Sequence, residues 1–345
     1  MDIIAVPSDL TVNNMFISDD LLNELKRRLE EKIQLLPWPV NERVREYAVD
    51  NAGKMLRPAL IVLTTMSLTD SPEKIDLSLD AAALMELLHN YTLIDDDMID
   101  HSPLRRGKKP YYLRWGMDRA ILDGDSIHAF TLHAIKELDI ELLDITLRTG
   151  IDLVRGSTIE LEDRESNYYD FDENRIIKIM RWKTATVFAG CVEAGFVCAG
   201  LGNEFKNLPA LRDAMINGGI AFQIQDDILD VVGKQEEFGK EHLWDVQESK
   251  HGIFLYWALQ TEYVDKIKEI YSKPIGEKNQ EDMDLVMKVF RKVVPQVEAR
   301  RDDFLLIATK QLDELRDVVK ESNPDEEILF EQLKDLITYL CTRTK

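Results

Sequence analysis

Apolar residues recur every three or four positions through most of the chain, which is the spacing that predicts amphipathic helices. Ser18, Asp19 and Asp20 offer an N-cap, and the first such run follows at Leu21, Leu22, Leu25, Leu29 and Ile33. Further helices are predicted near residues 56–66, 77–99, 117–136, 137–163, 173–201, 208–233, 251–272, 281–321 and 325–342. No alternating run of the kind that predicts a strand is present. We therefore expect an all-α bundle of roughly ten or more helices, forming a single domain over residues 1–345.

Helix breakers are scarce, and the chain is strongly acidic. Its 345 residues include 16 glycines and 11 prolines, and 45% are hydrophobic, which allows a sizeable core. Pro37, Pro39 and Asn41 predict a break after the first helix, and the polar run 234–250 predicts a loop. The formal net charge of −21 repels nucleic acid, so none is expected as a partner. The same charge would repel an anionic substrate, unless metal ions or a local basic cluster offset it.

The cysteines and the first residues indicate the compartment. Cys191, Cys198 and Cys341 show no CxxC spacing, which argues against a disulfide framework and against a zinc site. Packing on an apolar helix is the expected role of Cys191 and Cys198. The start, MDIIAVPSDL, has no basic region before an apolar run, and no apolar stretch reaches membrane-spanning length. We therefore expect a cytoplasmic protein without an integral membrane segment.

An aspartate cluster lies at residues 95–100, with the sequence DDDMID. Asp96 and Asp100 are four apart, so they share one face of a helix, and Asp97 flanks that face. Like charges at the C-terminal end of a helix destabilise it, unless hard divalent cations with a preference for oxygen ligands offset them. The cluster therefore predicts half of a magnesium–diphosphate site. A solvated acidic helix end is the alternative.

A second cluster with the same DDxxD spacing contains Asp226, Asp227 and Asp230. It follows the apolar run 219–225. Because burying unpaired carboxylates is very costly, these side chains should point into a cavity. Two such clusters facing each other could hold one diphosphate through several metal ions. Two unrelated acidic patches remain the alternative.

Basic residues flank these clusters. Lys54 and Arg57 are three apart at a predicted helix start, and Arg105 and Arg106 follow the first cluster. Lysine acts as a point charge, whereas arginine binds phosphate oxygens in a bidentate way. In so acidic a chain these residues are candidates for phosphate binding, with surface salt bridging as the alternative.

Five motifs stand in a characteristic order along the chain. They are GK(x)LRP at Gly53–Pro58, the aspartate-rich motif with a trailing RRG at Asp96–Gly107, the pair Lys183-Thr184, FQxxDDxxD at Phe222–Asp230, and GK(x)₄D(x)₄K with Lys240, Asp245 and Lys250. In these motifs the chain resembles the trans-isoprenyl diphosphate synthases, the family of farnesyl and geranylgeranyl diphosphate synthases. The resemblance covers at least residues 50–260. It implies the isoprenoid synthase type of fold, with helices around a central cavity.

The resemblance also implies a role for each matched residue. Three magnesium ions per active site would be ligated by Asp96, Asp100 and Asp226, with Asp97, Asp227 and Asp230 in support. The allylic diphosphate would be bound by Arg105, Lys183 and Lys240, and Lys250 would be a further substrate-binding residue. Isopentenyl diphosphate would be held without metal by Lys54, Arg57, His89 and Arg106. The oxygens of Thr184 and Gln223 would lie near the developing allylic cation.

The implied reaction joins isopentenyl diphosphate to an allylic diphosphate, head to tail and in trans configuration. The allylic carbon–oxygen bond ionises, the isopentenyl double bond attacks, and a proton is lost. Magnesium would stabilise the leaving diphosphate, and a dry cavity would protect the cation from water. The family resemblance further implies a homodimer.

The product length is predicted from the helix that precedes the first motif. Tyr91 and Thr92 lie five and four residues before Asp96, which is about 6–7.5 Å along the helix axis. In the family, a bulky residue there forms the floor of the elongation cavity. We therefore expect a short product, geranylgeranyl diphosphate, with farnesyl and geranylfarnesyl diphosphate as alternatives. Simple core packing of Tyr91 is the competing interpretation.

Some positions depart from the family pattern. Met55 stands where arginine is usual, Asp95 where histidine is usual, and GQxxD becomes Gly156-Ser157-Thr158-Ile159-Glu160. These departures motivate an alternative, a weakly active or non-catalytic regulatory subunit of a heteromeric synthase. A terpene cyclase, which usually lacks the second DDxxD, and a divalent-metal buffer are the further alternatives.

Overall fold

Helices account for all the regular structure that the computed structural model describes. Those residues are 17–50, 53–166, 169, 172–202, 205–233, 244–320 and 327–343. Within these ranges there is no β-strand, and one isolated bridge pairs Arg105 with Lys108. The all-α prediction is confirmed.

The helices follow one another in a simple order, for which we use the labels α1 to α15. They are α1 Asp19–Gln34, α2 Val40–Ala48, α3 Leu56–Leu68, α4 Pro72–Ile99, α5 Tyr111–Trp115, α6 Met117–Leu138, α7 Ile140–Ser166, α8 Glu173–Met180, a π-helical segment Arg181–Ala185, α9 Thr186–Cys198, α10 Leu208–Val232, α11 Trp244–Gln247, α12 Ile253–Ala258, α13 Val264–Tyr271, α14 Gln280–Lys320 and α15 Glu327–Thr342.

The first helix begins where its capping residue predicts. The Ser18 hydroxyl oxygen accepts a hydrogen bond from the Leu21 amide at 3.2 Å. Leu25, Leu29 and Ile33 are fully buried, since a spacing of three or four residues places them on one face of α1. Of the three predicted N-cap candidates Ser18 is the cap, and of the predicted apolar run Leu21 and Leu22 are only half-buried.

Three predicted segments differ from the observed structure, and one of them is the predicted loop 234–250, in which Trp244–Gln247 form the short helix α11. The break predicted at Pro37, Pro39 and Asn41 is short, because α2 begins at Val40, directly after Pro39. The predicted helix 251–272 is two helices, α12 and α13. Between them the Thr261 hydroxyl donates to a backbone oxygen at 2.7 Å and accepts from the Tyr263 amide at 3.2 Å, so a side chain competes with the helix.

The chain divides into two compact units, each built from separate segments. Unit 1 comprises Met1–Asp96, Arg114–Thr146 and Cys191–Phe205; unit 2 comprises Asp97–Leu113, Leu147–Gly190 and Lys206–Lys345. Helix α4 runs through the boundary between Asp96 and Asp97. The single-domain organisation and the central cavity stay predictions.

Unit 1 contains a close approach between α3 and α9. A Cβ atom added to Gly195 would lie 2.5 Å from the Thr64 Cβ and 2.9 Å from the Ile61 carbonyl oxygen. The Thr65 hydroxyl donates to the Gly195 carbonyl at 3.1 Å. Glycine is required here by space, and this contact fixes the helix that carries Arg57 in its first turn.

Unit 2 is organised around α10, whose C-terminal part carries the second aspartate cluster. A Cβ atom on Gly219 would lie 2.6 Å from the Ala185 Cα, so α10 and the π-helical segment are in backbone contact. On another side, a Cβ atom on Gly218 would meet Ile337 of α15 at 2.8 Å. Two glycines therefore let α10 pack closely on two neighbours.

The buried positions of Cys191 and Cys198 agree with the packing role expected of them. Cys191, Cys198 and Cys341 are free and buried, and burial raises the pKa of each thiol to about 12. Within the described ranges, no helix combines the length and the apolar character that crossing a membrane requires.

Candidate active site

The first aspartate cluster spans the end of α4. The helix ends at Ile99, so Asp100 lies in the turn that follows rather than on the helical face predicted for it. Asp97 is fully buried, and one of its oxygens accepts from Arg105 Nη2 at 2.6 Å and Nε at 2.9 Å. Arg105 and Asp97 therefore form an ion pair within unit 2.

Asp100 is surrounded by donors. Its carboxylate accepts from Lys250 Nζ at 2.6 Å and from Arg164 Nη1 at 3.4 Å, and its backbone oxygen accepts from Trp244 Nε1 at 2.9 Å. Burial opposes ionisation, yet Lys250 and the more distant Lys183 hold the pKa of Asp100 below its ordinary value. The turn after α4 thus carries a stable negative charge.

Lys250 is shared among several acids. Its Nζ lies 3.3 Å from Asp245 and 3.6 Å from Glu248, besides its bond to Asp100. The Glu248 carboxyl is buried, and burial raises its pKa to about 8 against the opposing charges of Lys250 and Arg164. The segment around Lys250 is therefore a dense cluster of mixed charge.

The second aspartate cluster is held by polar contacts from its own unit. Burial raises the pKa of Asp227 well above its ordinary value, although Gln223 Nε2 donates to it at 2.9 Å and lowers it. Asp226 is paired with Arg343, which follows α15, and Asp230 is exposed. The cluster thus combines a half-buried carboxyl group at Asp227, a paired one at Asp226 and an exposed one at Asp230.

Asp245 connects the two clusters electrostatically. Beside the effect of burial, its negative charge pushes upward both the pKa of Asp100 and that of Asp227. Within unit 2, Asp100 at the end of the first cluster and Asp227 at the centre of the second therefore both lie near the negative charge of Asp245. Asp96 is carried by unit 1, and it is partly buried.

The π-helical segment presents Lys183 and Thr184. Lys183 Nζ donates to Glu160 at 2.5 Å, and the Thr184 hydroxyl donates to Gln223 Oε1 at 2.7 Å. Gly156 permits this, because a Cβ atom there would lie 2.8 Å from the Lys183 Cγ. A wider turn inside a helix is a common device at functional sites, where it redirects side chains.

Unit 1 holds part of the residue set expected for isopentenyl diphosphate. Arg57 Nη1 lies 3.1 Å from His89 Nε2, and Lys54 is exposed. Met55, which lies between Lys54 and Arg57 in the sequence, is buried and has a positive φ of 52°. Arg106, expected in the same set, has a φ of 52° in a turn of unit 2.

Tyr91 is fixed from three sides within unit 1. Its ring stacks on His128, with centroids 4.9 Å apart and planes 7° from parallel. A Cβ atom on Gly124 would come within 3.3 Å of the same ring. The pKa of Tyr91 is raised by burial and by Asp95, with which it hydrogen-bonds. The neighbouring Thr92 hydroxyl donates to the His89 carbonyl at 2.8 Å.

A family model supplies the decisive comparison. The model for polyprenyl synthetase matches residues 39–293. The chain belongs to the polyprenyl synthetase family.

Individual members of the family are similar over most of their length. A short chain isoprenyl diphosphate synthase of Methanocaldococcus jannaschii is 35% identical over 238 residues, which are 68% of this chain and 70% of that protein. A geranylgeranyl diphosphate synthase of Saccharolobus solfataricus is 31% identical over 251 residues, 70% and 73% of the two chains. A crystal structure of polyprenyl synthase from Caulobacter crescentus, complexed with calcium and isoprenyl diphosphate, matches with a TM-score of 0.76 at 26% identity over 94% of this chain and 95% of that one.

The carboxylates of this polyprenyl synthetase chain are ligands of the type that a hard divalent metal ion prefers. Among the described residues, no three acidic, histidine or cysteine side chains are placed to hold a metal ion by themselves. Instead Asp97, Asp100 and Asp226 are paired with basic side chains. Magnesium commonly takes one or two carboxylates plus phosphate oxygens and water, so this donor set is compatible with it.

Several site residues were not predicted from the sequence. Arg164 and Glu248 contact the charges around Asp100, and Arg343 pairs with Asp226 across a separation of 117 residues. They stand outside the quoted motif positions, and no local spacing marks them. Lys240, predicted to contact the allylic diphosphate, lies outside the described residues.

Proposed function

We propose that the protein is a magnesium-dependent prenyltransferase that joins isopentenyl diphosphate to an allylic diphosphate, head to tail and in trans configuration. The observation that carries the proposal is the charge cluster of unit 2, where Asp100 and Asp227 share the neighbour Asp245 and where Lys250 pairs with both Asp100 and Asp245. Family membership and the relatives' activities support the same reaction.

The acidic clusters would bind the allylic diphosphate through magnesium. When bound, magnesium would supply positive charge that stabilises the leaving diphosphate. Asp96, Asp100 and Asp226 would hold three such ions, with Asp97, Asp227 and Asp230 in support. Lys183 and Lys250 now neutralise Glu160 and Asp100, and in the proposed complex they would also face phosphate oxygens, as would Arg105 and Lys240.

The polar relay from Thr184 to Asp227 would protect the developing cation. The Thr184 hydroxyl donates to Gln223 Oε1, and Gln223 in turn donates to Asp227. Since the hydroxyl proton is used in this bond, the lone pairs of the Thr184 oxygen stay available toward an electron-poor carbon. Oriented dipoles of this kind stabilise positive charge without reorganising during the reaction.

Isopentenyl diphosphate would be bound without metal. Arg57 and His89 are already in contact, and Lys54, three residues before Arg57, is exposed. Together with Arg106 they provide donors for a diphosphate. The uncharged double bond would then attack the allylic carbon, and loss of a proton would complete the condensation.

The product is proposed to be geranylgeranyl diphosphate. A ring as firmly held as Tyr91, stacked on His128 and hydrogen-bonded to Asp95, suits a rigid floor for the growing chain. The relative from Saccharolobus solfataricus forms the same product by name. Farnesyl and geranylfarnesyl diphosphate are the alternatives, one isoprene unit shorter or longer.

A homodimer is proposed as the assembled form. Helix α7 exposes Leu147, Ile151 and Val154 at 43%, 60% and 63%, and their spacing places them on one face. An exposed apolar stripe of this kind is typical of a contact surface between proteins. Ile151→Glu should shift the protein toward monomer in sedimentation, whereas an unchanged mass would remove this face from consideration. Cytoplasmic location, expected from the sequence, stays a prediction.

The deciding experiment is a product assay. Purified homomeric protein receives magnesium, radiolabelled isopentenyl diphosphate and allylic primers of increasing length, and the chain length of the product is measured. Elongation that stops on addition of a chelator supports the proposal. Absence of product with every primer would contradict it and favour a non-catalytic subunit, while a hydrocarbon released from a single diphosphate would indicate a cyclase.

A further inference from the structure

A lysine outside all the motifs is buried in unit 2. Lys278 lies between α13 and α14, and only 5% of it is exposed. Its Nζ donates to the carbonyl oxygens of Gln247 and Lys273, at 2.8 Å each. Gln247 is the last residue of α11, and Lys273 follows the end of α13. The ammonium group therefore joins two chain segments at helix ends, where carbonyl oxygens carry partial negative charge.

Burying the ammonium group of a lysine at such a position is energetically unfavourable. Burial lowers the pKa of Lys278 to about 8, with the nearby Lys273 acting in the same direction and Asp282 against it. A lysine in a turn ordinarily keeps its charge in water along a flexible stem. The free-energy cost of burying the Lys278 ammonium group is offset by its hydrogen bonds to two carbonyl oxygens. The hydrogen bond to the Gln247 carbonyl therefore points to a structural role for Lys278.

Two further bonds fasten the same segment. Gln247 Nε2 donates back to the Lys278 carbonyl at 3.3 Å, and the Ser249 hydroxyl donates to the Tyr271 carbonyl at 2.6 Å. Ser249 has a positive φ of 58°, a conformation that needs support from its surroundings. Residues 247–249 are thus attached to the stretch 271–278 at several points.

The other side of this segment reaches the first aspartate cluster. Trp244 Nε1 donates to the Asp100 carbonyl, and Lys250 Nζ donates to the Asp100 carboxylate. Residues 244–250 therefore lie between Lys278 on one side and Asp100 on the other. Losing the anchor at Gln247 would loosen both contacts to Asp100, because only five residues separate Trp244 from Lys250.

We infer that Lys278 is a positioning residue for the allylic diphosphate site, holding residues 244–250 so that Lys250 and Trp244 meet Asp100. The inference rests on the proposed function for its ligand, a magnesium-bound diphosphate. Among the described residues Lys278 hydrogen-bonds to no motif side chain, and it acts through the backbone of Gln247. Its substitution should therefore weaken diphosphate binding without touching the binding groups.

The test compares two variants that release the segment with one that does not. Lys278→Met removes the buried ammonium, and Ser249→Ala removes the independent bond to Tyr271. Lys273→Met is the matched control, since it deletes a neighbouring ammonium that pairs with Asp282 at 2.7 Å and does not contact residues 244–250. Full-length protein is used for amide hydrogen exchange and for calorimetric binding of inorganic pyrophosphate with magnesium.

Lys278→Met and Ser249→Ala should each speed exchange in 244–252 about tenfold, with α10 and α14 unchanged, and weaken pyrophosphate binding about tenfold. The control should match wild type. In a Lys250→Met background the effect of Lys278→Met on binding should largely disappear, because both act through the same contact. If Lys278→Met does not fold, Ser249→Ala carries the comparison.

Unchanged exchange in 244–252 overturns the inference, whatever the catalytic activity. Faster exchange with unchanged pyrophosphate affinity also overturns it, since the segment would then not position the site. Wild-type protein that binds magnesium and pyrophosphate but forms no prenyl product would instead contradict the proposed function, and the exchange and binding results would still decide the role of Lys278.

Discussion

The pairing of Arg343 with Asp226 predicts a competition between a guanidinium group and magnesium. Arg343 donates to the Asp226 carboxylate, its guanidinium carbon lies 4.8 Å from the centre of the Phe222 ring, and its carbonyl accepts from Gln225 at 2.7 Å. If Asp226 ligates magnesium, the ion must displace this partner. Arg343→Gln removes the charge and should lower the magnesium concentration that the protein requires.

The size of the effect follows from the exposure of the pair. The Arg343 side chain is only 9% exposed, but the Asp226 side chain is 38% exposed, so water screens the attraction. A pair of this kind is worth about 0.5–1 kcal/mol. Because about 1.4 kcal/mol corresponds to a factor of ten, the magnesium concentration for half-saturation should fall about two- to fivefold.

The assay titrates magnesium at a fixed concentration of inorganic pyrophosphate and follows binding by calorimetry. Arg343→Lys is the matched control, since it keeps the positive charge and should leave the magnesium requirement within about twofold of wild type. Thermal unfolding of both variants checks that the packing of α15 against α10 survives. Any shift seen only in Arg343→Gln then reports the loss of charge beside Asp226.

An unchanged or higher magnesium requirement in Arg343→Gln would refute the reasoning. Unchanged binding would mean that Asp226 does not contact the metal. A higher requirement would mean that Arg343 itself binds the diphosphate, so that the guanidinium assists the ion instead of competing with it.

Three other predictions concern product length, the relay and packing. Tyr91→Ala should lengthen the product by opening the proposed floor, and an unchanged chain-length distribution on chromatography would exclude Tyr91 from that role. Thr184→Ala should lower kcat about tenfold or more with little change in KM, if its oxygen acts only on the developing cation; an equal rise in KM would point to substrate binding instead. Gly195→Ala should destabilise the fold by about 1–3 kcal/mol through its contact with Thr64. A Cβ atom added at Gly150 would meet nothing within 4 Å beyond its chain neighbours and its own helix backbone, so Gly150→Ala should stabilise by about 0.5–1 kcal/mol, and equal melting temperatures for the two variants would contradict the packing argument.

Local features of the fold were predictable because local physics decides them. The N-cap at Ser18 and the buried stripe of α1 follow from a hydroxyl and a spacing of three or four residues. The length of the break near Pro39 was overestimated, because a proline can precede a helix as readily as it can end one. The split near Thr261 was missed because a single hydroxyl there decides between two backbone hydrogen-bond patterns.

Of the candidate site, only the residues that belong to short sequence motifs could be predicted. The repeated DDxxD spacing indicates a shared ligand, and the order of the five motifs along the chain limits the number of families that the sequence can resemble. The partners of those aspartates depend on packing between distant segments, which spacing does not encode. Lys278 is the clearest case, because a lysine in a polar turn gives no sign in the sequence that its ammonium group is buried.

The departures from the family pattern bear on whether the chain is an active enzyme or a non-catalytic subunit. Asp95, where histidine is usual, hydrogen-bonds to Tyr91, and burial raises its pKa, so the added carboxyl serves the proposed floor rather than adding a free charge at the metal face. Glu160, where aspartate is usual, reaches Lys183 at 2.5 Å and holds it beside Thr184. Asp95 and Glu160 each contact a residue of their own unit. Each contact holds in place a side chain that the proposed reaction would use. Those partners favour the active enzyme, and for Glu160 the matched test is Glu160→Asp, which should keep the contact with Lys183 and retain most of the activity if the charge is what matters.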